Sequence, residues 1–444
     1  MTTRPRLTVL GTGYLGTTHA ICMAELGYDV LGVDCDAGKI SKLDGGEVPF
    51  YEPGLAELLT RTLASGRLRF TTSAREAAEF GEVHFLCVGT PQKVGSLAAD
   101  TSYLQSIVTE LAPYLDRSAL VVGKSTVPVG TAQWVENTLH AMAPAGQDIT
   151  LVWNPEFLRE GFAVNDTLRP DRLVYGIKGE TTPALLDAAY QGIYDLAAAE
   201  QRELPVIVTD FATAELAKSA ANAFLATKIS FINAMAELCE ASGADVVQLA
   251  RALGHDARIG PKFLRAGIGF GGGCLPKDVR ALRARAEELG VAFGLLDEVD
   301  ATNARRRTSA VTLALSLLDK PSEAKVAILG VTFKPGTDDV RDSPALDIAT
   351  HLVDHCAQVS IYDPVGMDNA RSALPKANYT LSPLDAVQDA DLVLALTEWD
   401  EISSIDPELL APAVKQKRVI DGRNCLDARR WRNVGWQYHG MGRH

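Results

Sequence analysis

Residues 7–34 restrict the fold more than any other part of this chain. Residues 7–10 are a short apolar run, Gly11-Thr12-Gly13-Tyr14-Leu15-Gly16 follows, and a helix-like stretch covers 17–26. A second strand-like run, 29–33, ends at Asp34. Together these make a βαβ unit, whose parallel strands require a crossover and whose faces must be covered. Gly-x-Gly-x-x-Gly alone arises by chance. Here it follows a strand, opens a helix and has an acid 18 residues beyond Gly16, the context of a dinucleotide site. The glycines permit a tight turn and close approach to a pyrophosphate, and the helix N-terminus favours its charge. Asp34 would accept hydrogen bonds from ribose hydroxyls and repel a 2′-phosphate, so NAD is expected rather than NADP. Lys39 is either a solvated helix residue or near enough to touch the same ribose.

Further strands are expected at 83–88, 120–122 and 150–153, so the first ~200 residues read as a doubly wound parallel sheet. Thr90-Pro91 and Lys124-Ser125-Thr126-Val127-Pro128 close two of these strands, at the carboxyl ends where open α/β sheets bind ligands. From 211 to about 242 the pattern becomes one long helix rich in Ala, Leu, Glu and Lys, suited to linking domains or pairing with its copy in a dimer. After Lys325 the strand–loop–helix rhythm returns, with strands expected at 326–329, 359–362, 391–396 and 418–420 and a helix at 345–353. Val331-Thr332-Phe333-Lys334-Pro335 stands where the glycine loop stood before. The expected fold is α/β, with two Rossmann-like doubly wound domains joined by a central long helix. The divisions are 1–200 for NAD, 201–305 for a helical dimerisation domain carrying a cysteine loop, and 306–444 for a nucleotide-sugar domain.

A chain of 444 residues is too long for one core. Its net charge of −13 argues against nucleic acid or an anionic membrane as a partner. No apolar stretch reaches the ~18 residues that span a bilayer. The seven cysteines are scattered, without metal-ligand spacing, so no metal is expected and reduced thiols in a cytoplasm are. The first residues carry no secretory leader pattern.

One cysteine differs from the rest in its surroundings. Cys274 ends the run Phe270-Gly271-Gly272-Gly273-Cys274 and is followed by Leu275-Pro276-Lys277-Asp278. Three glycines let backbone approach a bound molecule closely, and a nearby cation favours the thiolate, which is the nucleophile. An inert core cysteine needs neither glycines nor charged neighbours. Lys218 and Asn222 are four apart on the long helix and share one face, which is either solvated or functional.

These residues together resemble the nucleotide-diphospho-sugar 6-dehydrogenases, in particular their UDP-glucose branch. The resemblance covers nearly the whole chain. It rests on the glycine loop, Val48-Pro49-Phe50-Tyr51-Glu52-Pro53-Gly54, Lys124 to Gly130, Asn154-Pro155-Glu156-Phe157-Leu158-Arg159-Glu160-Gly161, Glu215 to Phe224, the Cys274 loop and Phe333 to Arg341. It implies a four-electron oxidation of a sugar C6 alcohol to a carboxylate, reducing two NAD. Cys274 would form a thiohemiacetal and then a thioester, and Glu156 would activate the water that hydrolyses it. Lys218 and Asn222 would stabilise the oxyanion. Asp278 would partner Lys218 or an ordered water, and Thr126 would position water or the substrate hydroxyl. The cofactor would meet Gly11, Gly13, Tyr14, Leu15, Gly16, Asp34, Lys39, Thr90, Thr126, Glu160 and Arg341. The substrate would meet Phe157, Leu158, Lys218, Asn222, Phe263, Phe270, Gly271, Lys334 and Arg423, with Arg258 arriving from the neighbouring subunit of a homodimer. The stretch Arg258-Ile259-Gly260-Pro261-Lys262-Phe263-Leu264 resembles the glucose branch rather than the GDP-mannose one, and the alternative substrates are GDP-mannose, TDP-glucose and UDP-N-acetyl-mannosamine. A two-electron alcohol dehydrogenase would not need the thiol, and a non-catalytic nucleotide-sugar binder would not keep all five chemical residues.

Overall fold

The computed structural model describes residues 4–179 and 182–443. They form two compact units, one running to Ala221 and including Arg280–Leu289, the other comprising Asn222–Val279 and the chain from Gly290.

Among the described residues, the first unit contains an eight-stranded sheet. Its strands are β1 (Leu7–Leu10), β2 (Val30–Val33), β3 (Leu68–Thr71), β4 (Val83–Leu86), β5 (Ala119–Gly123), β6 (Ile149–Trp153), β7 (Leu173–Gly176) and β8 (Val206–Thr209), in the order β3-β2-β1-β4-β5-β6-β7-β8. The order reverses between β1 and β4, and a doubly wound sheet opens its ligand crevice at such a switch point. Alternate residues of one strand enter cores on opposite faces: Leu7 and Val9 join Phe85 and Val122 on one side, while Leu10 joins Leu86 and Val121 on the other. Burial on both faces explains why β1, β4 and β5 are mostly apolar, and the two polar residues among them, Thr8 and His84, are buried and hydrogen-bonded to each other at 2.7 Å. Each fully buried Leu, Val or Phe stabilises the sheet by about 1.5–3 kcal/mol.

One join departs from the expected parallel pattern. Strand β7 meets β6 antiparallel, through the single pair Trp153 and Gly176. The connection leaving β6 therefore remains on the carboxyl side of the sheet, and that connection contains Glu156. The helices of this unit include α1 (Tyr14–Glu25), α2 (Thr131–Met142) and α3 (Ala163–Leu168). Helix α4 (Phe211–Ser242) matches the expected long helix at both ends, and it carries the chain out of the first unit.

The second unit holds six strands among its described residues: β9 (Lys325–Leu329), β10 (Gln358–Tyr362), β11 (Asn378–Tyr379), β12 (Leu392–Ala395), β13 (Arg418–Asp421) and β14 (Gln437–Gly440). Their order, β11-β10-β9-β12-β13-β14, repeats that of the first six strands of the other sheet. All its pairings are parallel. Helix α5 (Leu275–Glu288) begins directly after Cys274, and helix α6 (Pro344–Val353) follows β9.

Candidate active site

The three loop glycines serve three purposes. Gly11 has φ +95°, and a Cβ there would sit 2.8 Å from Val88, so the turn requires glycine. A Cβ on Gly16 would collide with the carbonyl oxygen of Gly11, so this glycine lets α1 pack onto the loop. Gly13 has no neighbour within 4 Å of the place a Cβ would take. It caps α1 without any side-chain hydrogen bond, so the cap leaves the first amides of the helix without a side-chain acceptor. At the end of β2, Asp34 Oδ2 accepts from Thr12 N at 2.9 Å, Thr12 Oγ1 at 3.0 Å and Lys39 Nζ at 2.8 Å. Burial raises the Asp34 pKa, but Lys39 and the amides of Asp36 and Thr12 outweigh it and hold the carboxyl below its usual range. An ionised acid beside an open, uncapped helix start fits a dinucleotide whose ribose carries free hydroxyls.

The carboxyl-side loops of the same unit converge beyond this crevice. Thr90 Oγ1 donates to the carbonyl of Thr126 at 2.6 Å, and Ser125 Oγ to that of Val88 at 2.7 Å, so the ends of β4 and β5 are tied together. Glu156 Oε1 lies 3.1 Å from Lys218 Nζ, and Lys218 is buried, 5.7 Å from the centre of the Phe157 ring. Arg172 covers the same ring at 3.7 Å. Lys218 is thus no solvated helix residue. Leu158 is half-buried beside Phe157, and its amide bonds to Glu156. Glu160 is buried at the end of this loop. Leu15 is half-buried against the core that also packs β1.

In the second unit Cys274 is exposed, and it immediately precedes α5. Its carbonyl accepts from the Asp278 amide at 3.0 Å. Asp278 is buried, with Oδ2 taking Asn222 Nδ2 and Oδ1 taking Lys277 Nζ, each at 2.6 Å. The glycines before Cys274 do work that the sequence did not reveal. A Cβ on Gly271 would strike the Asp342 carbonyl, one on Gly272 the Phe333 ring at 2.7 Å, and one on Gly273 the Arg341 guanidinium at 2.6 Å. They admit the protein's own 333–342 loop.

A cavity of about 420 Å³ lies beside this loop, lined by Phe263, Phe270, Gly271, Lys334 and Arg423 together with Asn233 and Glu398. Arg423 spends three donors on backbone: Leu396 O at 2.9 Å, Gly269 O at 2.7 Å and Phe333 O at 3.1 Å. Its ionised form is disfavoured by burial and supported by Glu398. Arg258 stands outside this cavity, 89% exposed, and pairs with Asp256. Arg341 pairs with Asp339 at 2.7 Å. The structure therefore brings Glu156 to Lys218, Asn222 to Asp278, and five of the expected substrate residues around one cavity. Sequence reasoning assigned no role to Glu52, Lys124, Glu215 or Glu398. For the first three the only signal was membership of the quoted motifs.

A glycine loop with its acid, a repeated doubly wound sheet and an exposed thiol at a helix start define a dinucleotide-dependent dehydrogenase of two nucleotide-binding-type sheets. The chain belongs to the UDP-glucose/GDP-mannose dehydrogenase family. It matches the family's NAD binding domain over residues 5–194, its central domain over 212–305 and its UDP binding domain over 327–428. It is 41% identical to the UDP-glucose 6-dehydrogenase of Rhizobium meliloti over 99% of both chains. It is 39% identical to UDP-glucose 6-dehydrogenase TuaD of Bacillus subtilis, over 99% of this chain and 93% of the relative. Among solved structures, a UDP-glucose dehydrogenase from Pyrobaculum islandicum superposes with a TM-score of 0.90 at 35% identity, covering 100% of this chain and 98% of that one.

Proposed function

We propose that this protein oxidises the C6 hydroxyl of UDP-glucose to the carboxylate of UDP-glucuronate, in two hydride transfers. The observation that carries this reading is the exposed Cys274 at the head of α5, followed by the buried Asn222–Asp278 pair. An alcohol dehydrogenase that stops at the aldehyde needs no such thiol. NAD, when bound, supplies the hydride acceptor. The Cys274 thiolate adds to the C6 aldehyde, forming a carbon–sulfur bond and placing negative charge on oxygen, where Lys218 and Asn222 donate. Loss of the second hydride leaves a thioester at Cys274. Glu156 removes a proton from water, which attacks the acyl carbon and releases the thiolate. Thr126 positions that water or the substrate hydroxyl.

In the same reading Gly11, Gly13, Tyr14, Leu15, Gly16, Asp34, Lys39, Thr90, Glu160 and Arg341 serve NAD. Phe157, Leu158, Phe263, Phe270, Gly271, Lys334 and Arg423 serve the nucleotide sugar. Arg423 fits as an organiser of the cavity wall, since its three backbone bonds join three loops. The division at 1–200, 201–305 and 306–444 is proposed with these roles, as is a cytoplasmic location. Among the described residues no helix is long and apolar enough to cross a membrane. A homodimer is supported by Leu216, Phe224, Phe231 and Leu238, all exposed and recurring every seven or eight residues along α4. Arg258 would then reach a neighbour's site.

The deciding experiment counts NADH per sugar across UDP-glucose, TDP-glucose, GDP-mannose and UDP-N-acetyl-mannosamine. Two per UDP-glucose, with the others slower, is expected; one per sugar overturns the reading. Cys274→Ala should stop at the aldehyde, and Glu156→Gln should accumulate an acyl group on the Cys274 peptide, seen by intact-mass spectrometry. Mixing Arg258→Ala with Cys274→Ala subunits should restore some activity if the site is shared.

A further inference from the structure

Residues 154–162 form an irregular loop carrying Glu156, Phe157, Leu158 and Glu160, and it is pinned at both ends. At its start, Asn154 Oδ1 accepts from buried Lys124 Nζ at 2.9 Å and from the Tyr190 hydroxyl, while Asn154 Nδ2 donates to Val174 O at 2.9 Å. At its far end, Gly161 has φ +79°, and its amide donates to Glu52 Oε2 at 2.7 Å. Glu52 Oε1 accepts from Ala163 N, also at 2.7 Å, at the start of α3. Glu52 itself is only 6% exposed.

The third partner of Glu52 lies in the dinucleotide loop. The hydroxyl of Tyr14, first residue of α1 and next after Gly13, donates to Glu52 Oε2. The Gly161 amide also lies 3.0 Å from that hydroxyl, and the Tyr14 ring packs against Phe50 with centroids 4.8 Å apart. Burial, and then the Glu52 carboxylate, raise the Tyr14 phenol far above its usual range, so it stays protonated and donating. A single buried carboxylate is thus shared by the start of α1, next to the glycine loop, and the loop that carries Glu156. Neither can shift alone without leaving part of a buried charge unpaired.

We propose that Glu52 is a positioning residue that couples NAD occupancy at Gly13-Tyr14 to the placement of Glu156, and so to thioester hydrolysis. The proposal rests on the role given to Glu156 above. Its first test does not depend on that role: hydrogen exchange of the 154–163 backbone in the full-length protein, with and without NAD. Binding of NAD should protect this segment in the wild type, and Glu52→Gln should remove most of that protection. Equal protection in both proteins overturns the coupling. Tyr14→Phe keeps the ring against Phe50 and removes only the hydroxyl, so it carries the test if Glu52→Gln fails to fold.

The second test separates the steps. Glu52→Gln should raise KM for NAD and slow release of carboxylate by about tenfold each, the scale of a small misplacement. The first hydride transfer at saturating NAD should change by no more than about twofold. A parallel loss across all steps that tracks a lower Tm marks a merely structural role and overturns the proposal. Glu156→Gln is the reference. If it accumulates no acyl-enzyme, the role of Glu156 fails while the exchange result still stands. If it does and Glu52→Gln does not, only the coupling fails.

Discussion

The two sheets share a strand order and an acid at the end of the second strand, yet the two acids have opposite surroundings. In the first unit Asp34 bonds the amide and hydroxyl of Thr12 and pairs with Lys39, and its side chain keeps 10% of its exposure. In the second, Asp363 Oδ2 accepts from the Val331 amide at 2.8 Å and from the Thr332 amide and hydroxyl at 3.1 Å. Its Oδ1 accepts from the Val365 and Gly366 amides, and Trp399 Nε1 lies 3.3 Å from Oδ2. Asp363 is 1% exposed. After Thr12 comes Gly13 with open space above it; after Thr332 come Phe333, Lys334 and Pro335. One architecture thus holds an acid that can still meet a ligand and an acid consumed by its own fold. Topology places a crevice, and the partners already present decide whether it is free to bind.

Asp363→Ala probes that contrast with the largest expected effect. Removing a buried carboxylate strips several donors of their acceptor at once, so the variant should lose about 3–5 kcal/mol of stability by denaturant titration. A loss below about 1 kcal/mol would make the two acids alike.

Gly13→Val tests the open crevice. Gly13 has φ −74° and no neighbour, so Val should change stability by less than about 0.5 kcal/mol. NAD affinity measured by calorimetry should fall about 100-fold, roughly 2.7 kcal/mol. Gly330→Ala should behave the other way: φ is +88° and Thr397 lies 2.5 Å from the new Cβ, so stability falls by about 2 kcal/mol.

Asp34→Ala should weaken NAD about tenfold, roughly 1.4 kcal/mol, and narrow the preference over NADP. A wild type that used both cofactors equally would remove Asp34 from the ribose site. The smallest effect is on acid stability. The Asp34 carboxyl is depressed in the folded state, so its contribution is present above its unfolded pKa of about 3.9 and is lost as pH falls through the folded value. Asp34→Asn should therefore cost under about 1 kcal/mol near neutral pH and flatten the loss of stability below about pH 4.

Much of this arrangement was legible in the chain because its signals are local. The glycine loop, the apolar runs of β1, β4 and β9 and the small-residue pattern of α4 each read directly, since fully buried parallel strands and long helices leave periodic traces. The strands at 68–71, 173–176 and 206–209 left little trace. β3 is only partly buried, and β8 is largely exposed. Their places come from pairing partners distant in sequence, as does the antiparallel entry of β7.

The site divides in the same way. The residue types alone determined a dinucleotide loop with its acid, a thiol beside charged groups, and a lysine and an asparagine one helical turn apart, because loop and helix spacing are properties of a short stretch of backbone. The tertiary structure alone decided that Lys218 meets Glu156, that the glycines before Cys274 admit Phe333 and Arg341, that Asp363 is closed while Asp34 is not, and that Glu52 ties two loops together. Each of those outcomes depends on which donors and acceptors are buried against one another once the chain has packed, and a hydrogen bond across 109 residues leaves no mark on either neighbourhood of the sequence.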